Sequence, residues 1–147
     1  MEMEIRQSLY TILILATVAC STPKMKTIST ATTSADYRLH DIWVLKEMNG
    51  KILTTDDYAK EAPRMEINVK DKKVMGYTSC NNFFGGLLTE ADKITFSDLA
   101  STRMFCEKSV ENEFLKALEE AERFEIKDLH LLLYKDQTLI AKFLKVD

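Results

Sequence analysis

Histidine is nearly absent from this chain: His40 and His130 are the only two in 147 residues. A nucleophile paired with an imidazole base, or a cluster of imidazole metal ligands, has little to be built from. Cysteine is scarce too, at three, and neither Cys80 nor Cys106 has a second cysteine or histidine at ligand spacing. Asp56-Asp57 lacks the spaced oxygen ligands of a calcium loop. Glycine numbers four, and Gly85-Gly86 is not followed by the Lys-Ser/Thr that opens a phosphate-binding helix. Lys and Arg are scattered and the net charge is −3, so nothing marks a nucleic-acid face. No apolar run reaches the roughly 20 residues that a spanning helix needs. The expectation is a chain without catalytic residues, metal or cofactor, and not an enzyme.

What is present is an ordinary globular balance, 46% hydrophobic and 29% charged, on a length that suits one domain. The chain begins with a short apolar stretch, Leu9 to Ala19, of the length found in secretory signal peptides. Ala16, Thr17 and Ala19 then lead directly to Cys20, an order that resembles the lipobox of bacterial lipoproteins. There Cys20 would carry a diacylglyceryl group and become the mature N-terminus. An ordinary cleaved signal with a stray cysteine, or a buried N-terminal helix, are the other readings. Ser21 to Ala35 is rich in Ser and Thr, with too little apolar content to offset its ordering entropy. It reads as a tether spanning on the order of 20–25 Å. The division expected is a signal peptide over 1–19, a lipidated Cys20 and tether over 20–35, and a folded domain over 36–147. The domain would be a monomer held at the bacterial cell envelope by acyl chains in the membrane.

Within the domain, Trp43 to Leu45 reads as a strand, followed by the tight-turn pair Asn49-Gly50 and by Ile52-Leu53. Met65, Ile67 and Val69 alternate with Glu66, Asn68 and Lys70, a half-buried strand whose hairpin partner is Val74 to Tyr77. Gly86 to Thr89 and Ile94 to Ser97 form another pair. Val110, Phe114, Ala117, Leu118 and Ala121 share one helical face, with Ser109 as N-cap. Phe124 to Ile126, His130 to Tyr134 and Leu139 to Leu144 follow as a meander. The fold class expected is α+β, mainly β: a small antiparallel barrel-like sheet of about eight strands with one helix packed against it. The alternation places His130 at a sheet rim, and His40 sits at the entrance of the domain.

Two runs concentrate the remaining cysteines and three of the four glycines: Gly76 to Gly86, around Cys80, and Ile94 to Cys106. In an oxidising compartment such a pair of thiols forms a disulfide; two buried free thiols are the alternative. Asn81 and Asn82 suit left-handed turns, so the run from Asn81 to Phe84 reads as a shaped connection, with one of Phe83 and Phe84 in the core and the other toward the helix. Arg103 is expected to bracket the cysteine corner through backbone carbonyls, ahead of a ligand-binding role. Asn81, Asn82, Phe83 and Arg103 are thus the candidate binding or bracketing residues. A reactive Cys80 thiolate is the remaining alternative.

These two runs resemble the signature of the META domain (HslJ-like) family, a Gly-x-x-Gly-Cys-Asn-x-Phe-x-Gly segment followed by an Ile-x-Phe…Leu-Ala-Ser-Thr-Arg-Met-x-Cys segment. Ser79 stands where the family has glycine. Trp43-x-Leu…Asn49-Gly50 and the helix around Glu113-Phe114-Leu115 are similar as well. The resemblance spans Leu39 to Val146 and implies a β-rich domain with one helix in a stress-linked envelope protein, with no established catalytic residues. The function expected is binding of an envelope protein or an apolar ligand. A hydrolase-inhibitor-like plug using Asn81 to Phe84, or a pilot-like chaperone of an envelope complex, are the alternatives.

Overall fold

A computed structural model describes residues 36–146. The leader, Cys20 and the tether lie outside the described residues. A short 3-10 turn, Tyr37–Leu39, precedes nine strands and one helix. The strands are β1 (Ile42–Met48), β2 (Lys51–Ile52), β3 (Arg64–Asn68), β4 (Lys73–Tyr77), β5 (Asn82–Glu90), β6 (Lys93–Ser101), β7 (Arg123–Lys127), β8 (His130–Lys135) and β9 (Thr138–Val146). The helix α1 (Glu111–Glu119) lies between β6 and β7 in the chain.

Every pairing is antiparallel, and β1 also pairs with β9, so the sheet closes in a ring. Eight strands make the ring. The ninth, β2, is a two-residue addition on β1 beyond β3, with Glu47 opposite Ile52. Its turn is Asn49-Gly50, both at positive φ (50° and 77°), the mirror-image geometry that matches strand twist.

The alternation of β3 is realised: Met65 and Ile67 are buried, while Arg64 and Glu66 face water. In β1 the inward phase changes at a bulge between Leu45 and Glu47, which brings Met48 into the core behind Trp43 and Leu45. The Trp43 indole N–H donates to the Leu39 carbonyl at 2.9 Å, tying the entry turn to the core.

The ring is held least at β6–β7, where Lys93 and Arg123 are the single register pair. α1 packs against β6 and adds its apolar face to the core. Phe114, Ala117 and Leu118 are buried, and the Phe114 ring meets Phe83 of β5 at 5.5 Å and Phe143 of β9 at 6.2 Å, both edge-on. The helix therefore joins strands from both halves of the ring. Ser109 lies just ahead of it, and its hydroxyl accepts from the Glu111 N–H at 3.2 Å. That is the expected capping contact, although Val110 is the geometric N-cap.

Candidate functional site

The two cysteine runs meet at one corner, where the connection from β4 to β5 faces the segment from β6 to α1. Cys80 and Cys106 are joined in a disulfide, their Cα atoms 5.9 Å apart. Thr78, Ser79, Cys80 and Asn81 are all buried, so each polar group there needs a partner.

Asn81 meets that need in full. Its Oδ1 accepts from the Met104 N–H (2.7 Å) and the Thr102 hydroxyl (2.8 Å). Its Nδ2 donates to the Met104 carbonyl (3.1 Å) and to Glu111 Oε2 (2.8 Å). All four hydrogen-bonding positions of the amide are used. The bracket expected of Arg103 is therefore made by Asn81. Arg103 is exposed and, among the described residues, makes no hydrogen bond or ion pair. The physical reason is that gripping both the N–H and the carbonyl of one residue needs a donor and an acceptor, and a guanidinium has no acceptor.

Glu111, which the sequence patterns did not single out, completes the corner. Its carboxylate accepts from the Thr78 hydroxyl (2.7 Å), Asn81 Nδ2 and the Ser101 hydroxyl (2.9 Å). It also sits in the first turn of α1, where the helix dipole favours an anion. Burial works to raise its pKa, and the bonds from Thr78, Asn81 and Ser101 outweigh that and hold it below the ordinary carboxylate value. A folded-state pKa lowered in this way adds stability above the unfolded-state value. That stability is lost as pH falls through the folded value. Glu111→Gln is thus expected to flatten the acid limb of the stability profile below about pH 4.5, measured by urea titration at several pH values. An unchanged acid limb would remove Glu111 from that role.

The left-handed turn in this corner belongs to Ser79, at φ 87°, and not to Asn81 or Asn82. Glycine is the residue suited to such a φ. The buried serine is compensated by the Val110 N–H donating to its Oγ at 3.4 Å and by the Tyr77 hydroxyl donating to its carbonyl at 3.1 Å. Asn82, Phe83 and Phe84 open strand β5, so the exposed loop expected at Asn81 to Phe84 is replaced by paired strand. Phe83 serves both core and helix, whereas Phe84 points outward and is 63% exposed. The protruding loop is the segment after β6, in which Phe105 is 94% exposed beside the Met104 that Asn81 grips.

Phe84 borders a groove of about 440 Å³ on the outer face of the sheet. The register explains it. Ile42, Glu66, Met75 and Phe84 stand side by side across β1, β3, β4 and β5, and Val44, Arg64, Tyr77 and Asn82 form the next row. Beneath them Gly76 lets the Phe83 ring approach the backbone; a Cβ there would lie 2.9 Å from that ring and 2.1 Å from the Arg64 carbonyl. Arg64 is paired with Glu61 and lies over the Tyr77 ring at 5.8 Å. The groove thus offers an apolar floor, one neutralised cation, one carboxylate and one amide. His40 is exposed, and His130 Nδ1 is bonded to the Asp128 carbonyl at 2.8 Å in the β7–β8 turn.

A family model, the META domain, matches residues 37–147. No curated protein matches the chain. Among solved structures, a protein studied by NMR is 26% identical over 72% of this chain and 90% of its own, with a TM-score of 0.55. A Burkholderia xenovorans protein, also studied by NMR, is 20% identical over 85% of this chain and 97% of its own, with a TM-score of 0.60. A DUF4847 family protein from Bacteroides vulgatus ATCC 8482 is 16% identical over 74% and 96%, with a TM-score of 0.54. At 20% and 16% identity the latter two show the fold.

Proposed function

The chain belongs to the META domain family, and from that premise we propose a non-catalytic binding domain, lipid-anchored through Cys20 at the bacterial cell envelope. It acts as a monomer in the envelope stress response and takes an apolar ligand or an apolar segment of an envelope protein. The observation that carries the binding part is the outer-face groove, where Met75 and Phe84 hold apolar surface in water on a rigid paired sheet. Preorganised apolar surface with a few fixed polar groups is what such binding requires. The corner residues fit a structural role in this reading: the Cys80 sulfur is committed to the disulfide and the Ser79 hydroxyl to Ser109 and Val110. The anchor is supported by the leader and Cys20, and the stress link by the resemblance to the family.

A photo-crosslinking residue placed at Phe84 of the full chain, in intact cells, tests the reading. The expected result is a defined adduct in the membrane fraction. Met75→Glu should abolish it, and Cys20→Ala should release the uncrosslinked protein from that fraction. An adduct indifferent to Met75→Glu removes the groove, and uncrosslinked Cys20→Ala protein that stays with the membrane as the wild type does removes the anchor. A second reading, a plug that blocks a hydrolase, is favoured by the display of Phe105 on a pinned loop. It uses the segment after β6, in place of Asn81 to Phe84.

A further inference from the structure

We infer that the end of the sheet where the chain enters the fold lies against a lipid surface, with Tyr37 and Leu129 entering the headgroup layer. The inference rests on the proposed anchoring at Cys20 and adds a second, direct contact between the folded domain and lipid. Tyr37, in the entry turn, is 67% exposed, and Leu129, at the tip of the β7–β8 hairpin, is 65% exposed. Both border a cleft of about 360 Å³ that also touches His40 and the Asp41–Lys145 ion pair.

Leu129 is the odd residue. Asp128 and Leu129 both have positive φ, 49° and 61°, in a two-residue turn of the same hand as Asn49-Gly50. Glycine is the residue suited to the second position, and a leucine there strains the backbone through its Cβ. The side chain recovers little within the fold, being mostly exposed. Backbone strain of this kind clusters at residues with a functional role, and unlike Ser79, Leu129 has, among the described residues, no compensating side-chain contact buried within the fold.

Charge argues for the nature of the surface. Arg38 is held by Asp36 at 2.6 Å and Lys145 by Asp41 at 2.7 Å, so these cations are matched by acids. Beside Leu129, exposed Lys127 and Asp128 add one charge of each sign, so the face is two apolar tips in a near-neutral polar rim. That arrangement suits zwitterionic headgroups, where a tyrosine ring sits with its hydroxyl in water. The chain outside the structure argues for the location. Fifteen residues, Ser21 to Ala35, separate Cys20 from Asp36; as the flexible tether expected from their composition they would have a root-mean-square span on the order of 20–25 Å. An anchored Cys20 would hold this end of the sheet at a typical distance of that order from lipid, with a fully extended limit of roughly 50 Å. The tether supplies the effective concentration that two side chains need to engage.

The test uses the full chain, purified from membranes and reconstituted into phosphatidylcholine vesicles carrying doxyl-labelled phosphatidylcholine. Leu129→Trp, Tyr37→Trp and Phe105→Trp are each compared with the wild type, whose sole Trp43 is buried. The added fluorescence should fall about two-fold at positions 129 and 37 and stay nearly constant at 105, with little dependence on salt. Adding Leu129→Asp, which a polar turn tip accommodates, should relieve the quenching of Tyr37→Trp. A chain that floats with the vesicles yet is quenched no more at 129 than at 105 overturns this proposal and leaves the anchor standing. A chain that fails to float overturns the anchor and this proposal with it.

Discussion

Phe114→Ala is expected to destabilise the protein by about 4 kcal/mol, in the range for aromatic truncation in a packed core. For a domain of this size that lowers the thermal midpoint by roughly 15–20 °C. The ring is fully buried and touches Phe83 and Phe143 edge-on, contacts beyond plain area burial. Those two rings belong to β5 and β9, so truncation leaves a cavity between strands from both halves of the ring. Urea unfolding measures the effect, with the exposed Lys116→Ala as a control expected within about 0.5 kcal/mol of wild type. A loss below about 1 kcal/mol would mean that α1 is not the element joining the two halves of the ring.

Cys106→Ser is expected to cost about 3.5 kcal/mol, the chain-entropy value for a sequence separation of 26. Much of that effect acts through the unfolded chain. The native corner should survive, because Asn81 still grips Met104 and Glu111 still binds Thr78, Asn81 and Ser101. The variant should therefore unfold at lower urea but keep its near-native circular dichroism. The half-exposed Cys106 is the better position to change, since Cys80 is buried. Native protein that reacts with two equivalents of thiol reagent before unfolding would end the argument.

Hydrophobic periodicity made most of the fold legible. Met65, Ile67 and Val69, and the stripe from Val110 to Ala121, have spacings that only one element type explains, and each is buried or half-buried as that type requires. The start of β5 was not legible. Asn81-Asn82-Phe83-Phe84-Gly85-Gly86 has turn composition and a register shift between Phe84 and Gly86, so its alternation is broken. Pairing with β4 and β6 on both sides decides it in favour of strand. At the corner, residue chemistry pointed to Arg103 because a guanidinium carries many donors, whereas the geometry needed a group that also accepts. Glu111 left one usable trace, an acid in the first turn after Ser109. The groove left none, because it arises from side-by-side register across four strands whose order the sequence does not display.

The pairing of β1 with β9 joins Ile42 to Val146, nearly the full span of the domain. The ring therefore cannot close until its last strand has been made. Until then β1 has an open edge, and the chain must search over roughly a hundred residues for the contact that seals it, a slow step in a topology of high contact order. Hydrogen exchange during refolding should show β3–β4 and β7–β8 protected early, as local hairpins, and the β1–β9 amides protected last.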